Sequence, residues 1–121
     1  MVIDDDEDMR HLLAEILRPF EFTVIPAETS EEGLNIALSH PPDVVLCDVM
    51  LPDAMGFETA QALNQHPVTS HVPVVLMTGY AYMRKHAGPG HSEVLLKPFQ
   101  INDVITAIED AMRKAPARVA A

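Results

Sequence analysis

Apolar residues along the chain fall into short continuous runs and longer stretches in which they recur every three or four positions. Met9, Leu12, Leu13, Ile16, Leu17 and Phe20 follow the spacing of one face of an amphipathic helix, and Pro19 marks its end. F-T-V-I-P-A (22–27) reads as a strand, which Pro26 places at a sheet edge because proline has no N–H to give to a ladder. T-S-E-E (29–32) predicts a capping box, with Thr29 as N-cap and Glu32 reaching back. The helix it opens runs through Leu34, Ala37 and Leu38 and stops at Pro41 and Pro42, with Gly33 weakening it slightly. Val44 to Cys47 is a continuous apolar run, the pattern of a strand covered on both faces, with Asp48 at its end.

After the loop V-M-L-P-D-A-M-G, Phe57, Ala60 and Leu63 define a helix from about Phe57 to Gln65, closed by His66 and Pro67. V-P-V-V-L-M (72–77) is a fourth strand ending at Thr78, and E-V-L-L (93–96) a fifth that runs into Lys97 and Pro98. Between them the chain has room for two or three helical turns at most, because Gly88, Pro89 and Gly90 break it. A last helix, from about Asn102 to Lys114, turns Val104, Ile105, Ile108, Ala111 and Met112 inward. Residues 1–115 make one domain by this reading, and 116–121 a tail or the start of a linker. The first apolar run is short at Met1, as expected if upstream residues are lost or the chain opens inside a longer protein. No internal repeat or low-complexity segment is present.

Five apolar runs alternating with five helical segments spell (βα)5. That is an α/β chain with a mostly parallel, doubly wound sheet and helices on both faces. Function in such folds sits beyond the carboxyl ends of the strands. Asp4 and Asp5 follow the first strand, Asp48 ends the third, Thr78 the fourth and Lys97 the fifth. Four of five strands thus deliver a charged or hydroxyl residue to one rim.

Composition narrows what that rim can do. With 18 acidic and 8 basic residues the formal charge is −10, which repels nucleic acid and anionic lipid, so DNA contact by this segment is not expected. The one cysteine, Cys47, excludes an internal disulfide and fits a reducing compartment. No apolar run approaches the ~20 residues of a membrane span and no signal-peptide layout opens the chain, so the expectation is a cytoplasmic protein without membrane contact. A hydrophobic content of 48% against only 5% aromatic points to an aliphatic core, which suits buried parallel strands.

The run Asp4 to Asp8 places five carboxylates at the tip of the first strand. Two carboxylates 4 Å apart repel by about 4 kcal/mol at the effective dielectric of a protein surface, so a cation, a helix N-terminus or water must offset them. Asp6, Glu7 and Asp8 need only the first turn of the following helix. Asp4 and Asp5 by themselves leave the choice open. Cys47 reads as a small core residue, and the six histidines show no paired zinc spacing and read as surface residues. Tyr80 and Tyr82 are expected to cover the short fourth helix.

V-I-D-D with Met9 and Arg10 downstream, L-C-D-V-M-L-P with Gly56, V-L-M-T-G and L-L-K-P-F together resemble the receiver domain of two-component response regulators. The resemblance covers essentially the whole chain. It implies a flavodoxin-like three-layer sandwich with parallel sheet order 2-1-3-4-5. It also implies Asp48 as phosphoacceptor, taking the group from a sensor histidine kinase or a histidine phosphotransfer protein, and Thr78 and Lys97 as phosphoryl ligands. Asp4, Asp5, Asp48 and the backbone carbonyl of Met50 are then the ligands of Mg²⁺ or Mn²⁺, the Lys97–Pro98 bond is expected to be cis, and a homodimer is compatible with the family. Such a domain accepts and loses a phosphoryl group and is not a turnover enzyme.

The residue types suit that chemistry. Mg²⁺ takes oxygen ligands and keeps waters, so two or three carboxylates with open positions fit it. A carboxylate ionised at neutral pH needs no general base to attack phosphorus. Three other readings compete. Asp4, Asp6, Asp8 and Glu15 match positions of a calcium-binding EF-hand loop, but Met9 stands where the turn wants Gly and no helix enters. A haloacid-dehalogenase-type phosphatase needs a second Asp two residues after the first, where this chain has Met50. A receiver-like module that is never phosphorylated would not need all five rim residues. The chain departs from the family at Met55, where Asp is common before Gly56, and at Val94, where an aromatic is common three residues before Lys97. The interval from Thr78 to Lys97 is also about one helical turn shorter than usual.

Overall fold

The computed structural model describes residues 1–86 and 93–115. Strands β1 (Val2–Ile3), β2 (Pro26–Ala27), β3 (Val45–Asp48), β4 (Val74–Thr78) and β5 (Glu93–Leu96) alternate with helices α1 (Glu7–Leu17), α2 (Ser30–Ser39), α3 (Gly56–Gln65), α4 (Met83–His86) and α5 (Ile101–Lys114). The strands form one parallel sheet in the order β2-β1-β3-β4-β5. The Gly88-Pro89-Gly90 break and the expected tail at 116–121 lie outside the described residues.

Successive side chains on a strand point to opposite faces, and the apolar runs supply both faces at once. Val2, Leu46, Val75, Met77 and Leu95 pack with Leu13 and Leu17 of α1 and with Val104, Ile108 and Ala111 of α5. Ile3, Val45, Cys47, Val74 and Leu76 pack on the other side with Ala37 of α2 and with Ala60 and Leu63 of α3. The result is a three-layer sandwich with two aliphatic cores. Cys47 is fully buried in the second of them, where burial pushes its thiol pKa up and keeps it inert.

Helical faces are narrower than the periodicity implies. Leu13 and Leu17 are buried on α1, whereas Leu12 and Phe20 are about half exposed. Met112, expected inward on α5, is 43% exposed, and Leu38 on α2 is exposed as well. A helix on a flat sheet buries one stripe, and these residues lie on its flanks. The strand expected over 22–27 reduces to Pro26–Ala27, because β1 offers only Val2 and Ile3 to pair with. Pro26 does sit on the edge strand. Gly33 has a packing reason that helix propensity hides: a Cβ there would run into the side chain of Ile3, so the glycine lets α2 lie close on β1.

The start of α2 is tied to two other elements. Thr29 Oγ1 accepts from the Glu32 N–H at 3.1 Å, the Thr29 half of the expected capping box. Ser30 Oγ and Thr59 Oγ1 of α3 are 2.6 Å apart in the core, and the Ser30 and Glu31 N–H groups both reach the carboxylate of Asp53. Removing one partner of a buried hydroxyl pair leaves the other unsatisfied, at ~1–3 kcal/mol. Thr59→Ala should therefore lower unfolding free energy by about that much, and the double variant Ser30→Ala/Thr59→Ala should lose less than the two single losses added together. Urea denaturation of the four proteins checks this, and simple additivity contradicts it.

Candidate functional site

At the carboxyl ends of β1, β3, β4 and β5 the backbone ladders converge on one rim. Asp4 follows β1 and its N–H donates to the Ala27 carbonyl of β2. Asp48 ends β3 opposite Met77, Thr78 ends β4, and the Lys97 N–H just past β5 donates to the Thr78 carbonyl at 2.7 Å. The Lys97–Pro98 bond is cis.

Lys97 Nζ stands 3.3 Å from Asp4 Oδ2 and 3.5 Å from Asp48 Oδ2, bridging residues from opposite parts of the chain. The Asp4 side chain is 1% exposed, yet both its oxygens are used: Oδ1 accepts the Asp6 N–H at 3.0 Å and Oδ2 faces the ammonium. A buried carboxylate needs such full pairing. Asp5 points to solvent, and ligand atoms of Asp4, Asp5 and Asp48 lie within 4.8 Å of one another. This donor set is all oxygen with one wet member, which fits a hard divalent cation that retains waters.

Around Asp48 the forces oppose each other. Burial raises its pKa above the ordinary 3.8 and the Asp4 charge raises it further, while Lys97 and the Met50 N–H, 3.4 Å from Oδ1, pull it down; the net direction is up. Thr78 is buried and its Oγ1 accepts the Tyr80 N–H at 3.1 Å. Tyr80 and Tyr82 are more than half exposed, with ring centroids 5.7 Å apart. The remaining acids behave as helix formers: Asp6 caps α1 by accepting the Asp8 N–H, and Glu7 and Asp8 occupy its first turn. Glu15 is an exposed residue of α1 outside the acidic group, which removes the EF-hand reading. Of the histidines, His11, His40 and His66 are exposed and His71 is partly buried.

Three further residues shape the rim, and the contacts of two of them, Arg10 and Asp53, have no signal in the sequence. Arg10 Nη1 donates to the Asp4 carbonyl at 2.8 Å and its Nη2 pairs with Glu28 at 3.5 Å, so it props the β1 rim from behind. Gly56 permits a close return of the loop. Its N–H donates to the Val49 carbonyl at 2.6 Å, and a Cβ would collide with the Asp48 carbonyl and sit 2.9 Å from Val49 Cα. Asp53 ties the same loop to α2. A glycine in a motif is visible in sequence; a carboxylate that reaches 23 residues back is not.

The family model for the response regulator receiver domain matches residues 1–109. Among similar proteins, the chemotaxis protein CheY of Halobacterium salinarum is 31% identical over 114 residues, covering 93% of this chain and 94% of that protein. The 3′,5′-cyclic-nucleotide phosphodiesterase regA of Dictyostelium discoideum is 38% identical over 105 residues, 81% of this chain but 13% of that protein. The chain thus spans only a small part of regA, and about half (49%) of the Escherichia coli transcriptional regulatory protein CpxR. Among solved structures, a putative response regulator from Chloroflexus aurantiacus superposes with a TM-score of 0.85 at 29% identity, covering 93% of this chain and 95% of that one. TrrA from Thermotoga maritima, solved in complex with Mg²⁺ and BeF, gives 0.82 at 26% identity, covering 89% and 93%.

The raised Asp48 pKa has a sign that stability measurements can read. The unfolded carboxylate loses its proton first, so as pH climbs from 3.8 through the folded value the protein loses stability and does not regain it at neutral pH. In metal-free buffer at pH 7, Asp48→Asn should therefore be more stable than the parent, with the gap closing below pH 3.8. Thermal midpoints across that range test it; a less stable Asn variant at pH 7 contradicts it. With residues 1–109 matched by the family model, the chain belongs to the response regulator receiver domain family.

Proposed function

We propose that this receiver domain takes a phosphoryl group onto Asp48 from a phosphohistidine of a sensor histidine kinase or histidine phosphotransfer protein. Asp4, Asp5, Asp48 and the Met50 backbone carbonyl would hold Mg²⁺ or Mn²⁺ for the transfer. The observation that carries the reading is the meeting of three carboxylates and the Lys97 ammonium at strand ends. Membership of the family and the Mg²⁺–BeF complex of TrrA support it.

In the proposed reaction an Asp48 carboxylate oxygen forms a bond to phosphorus as the P–N bond to the donor imidazole breaks. The departing imidazole nitrogen takes up a proton from solvent. Burial raises the Asp48 pKa and so makes its oxygen more basic, while Lys97 favours the ionised form that reacts. A bound divalent cation would neutralise charge on the acidic cluster and on the phosphoryl oxygens. Phosphoryl transfer through a loose transition state asks chiefly for positioning and charge stabilisation of the equatorial oxygens. Lys97 supplies a positive charge beside Asp48, and the Thr78 hydroxyl, whose oxygen already accepts from Tyr80, keeps its proton for another acceptor. The residue two after Asp48 is Met50, with no acid or base to offer, so the chain is proposed to hold the acyl phosphate as a signal and not to turn over a substrate.

The test is transfer of labelled phosphate from a phosphorylated histidine phosphotransfer protein. The parent chain should take up label only with Mg²⁺ or Mn²⁺ present, and Asp48→Asn should fall to background. Equal labelling of the Asn variant, with the same metal dependence, removes Asp48 from the reaction.

A further inference from the structure

We propose that Asp53 is a positioning residue that clamps the loop after β3 to the start of α2 and so holds the Met50 backbone against the acidic cluster. The proposal rests on the phosphoacceptor reading, in which the Met50 carbonyl is a metal ligand.

Met50 is held by its N–H contact with Asp48 Oδ1 at 3.4 Å, by its bridge to Met55 and by the packing of Leu51 and Met55 on the core, and Asp53 adds a fastening at the tip of the loop. Met50 itself is 55% exposed, so its own side chain does not anchor it. The backbone around it is a closed turn: Met50 bridges to Met55, the Leu51 N–H donates to the Ala54 carbonyl at 3.1 Å, and Gly56 returns to Val49. The base of this turn is fastened to the sheet by the Val49 N–H, which donates to the Met77 carbonyl of β4. Its tip is fastened by Asp53 alone among the loop's side chains for which hydrogen bonds to another element are described. Oδ1 accepts from the Ser30 N–H and Oδ2 from the Glu31 N–H, each at 2.9 Å.

Both oxygens of one carboxylate are therefore taken by two successive N–H groups of a helix's first turn. Charge-assisted bonds of this kind are about twice as strong as neutral ones, and two of them fix orientation as well as distance. These N–H groups also hold the Asp53 pKa below the ordinary carboxylate value, Glu31 more than Ser30. Helix α2 has a cap of its own, the Thr29 hydroxyl on the Glu32 N–H. The Asp53 bonds take the Ser30 and Glu31 N–H groups that the Thr29 side chain leaves open, so they serve the helix start and at the same time pin the tip of the loop across 23 residues of sequence. Groups that orient a metal ligand without touching the metal commonly alter affinity by about 10- to 100-fold.

Mg²⁺ alone, titrated into the full chain at pH 7 and read from the Met50 backbone amide resonance, tests the idea. Asp53→Ala should raise the Mg²⁺ Kd by about ten-fold, and Asp53→Asn, which keeps one acceptor, should raise it less. Thr29→Ala weakens the same helix start without touching the loop, and Glu31→Gln removes a neighbouring charge while keeping the backbone bond to Asp53. Both should leave Kd near the parent value. Unchanged affinity in Asp53→Ala, or an equal rise in Thr29→Ala or Glu31→Gln, overturns the positioning role while the parent's Mg²⁺ binding leaves the phosphoacceptor reading standing. A parent chain that binds no Mg²⁺ overturns that reading and this one with it.

Discussion

One ammonium decides how this rim is built. Asp4 and Asp48 stand at the ends of neighbouring strands of a sheet whose interior is largely aliphatic, and without Lys97 their charges would repel in a setting with little water. The lysine comes from β5, two strands away from β3, and reaches across Thr78 to both acids. Strand order is what makes that reach short. A parallel ladder brings every carboxyl end to the same side, so residues separated by more than 90 positions become neighbours without any local sequence signal.

Much of this was legible. The acid pair, the acid at the end of the third run and the lysine at the end of the fifth could be assigned to one edge once the runs were read as parallel strands. Pro26 named its own edge position, and its place in the sheet order bears that out. Strand 22–27 was over-read, because a strand is defined by what pairs with it and the amino acids of one segment say nothing of the length of its neighbour. Leu12, Phe20 and Met112 fit the helical period yet stay exposed, since periodicity marks a face but not how much of it the sheet covers. The contacts of Asp53 and Arg10 lay beyond reach for a different reason: both reach backbone groups on other elements, and Arg10 the Glu28 carboxylate as well.

The departures at Met55 and Val94 also gain a physical setting. Met55 precedes α3, and its N–H is taken by the Glu58 carboxylate at 3.2 Å, so the helix start is capped from within even though the N-cap side chain is a thioether. Val94 pairs with Leu76 and, like Met83 of α4, packs against the core that faces α2 and α3. A β-branched side chain has few rotamers, so this position contributes a fixed wall to the core.

The bond from the Lys97 amide to the Thr78 carbonyl has a mechanical meaning. It welds the amine-bearing and hydroxyl-bearing strand tips into a single stiff edge, while the carboxylates belong to the sheet's interior strands and to a turn held by polar stitches. The same ladder continues inward, since Asp48 pairs with Met77 and the Val49 N–H donates to the Met77 carbonyl, so the two donor-bearing tips are tied to the acid-bearing strand by unbroken backbone pairing.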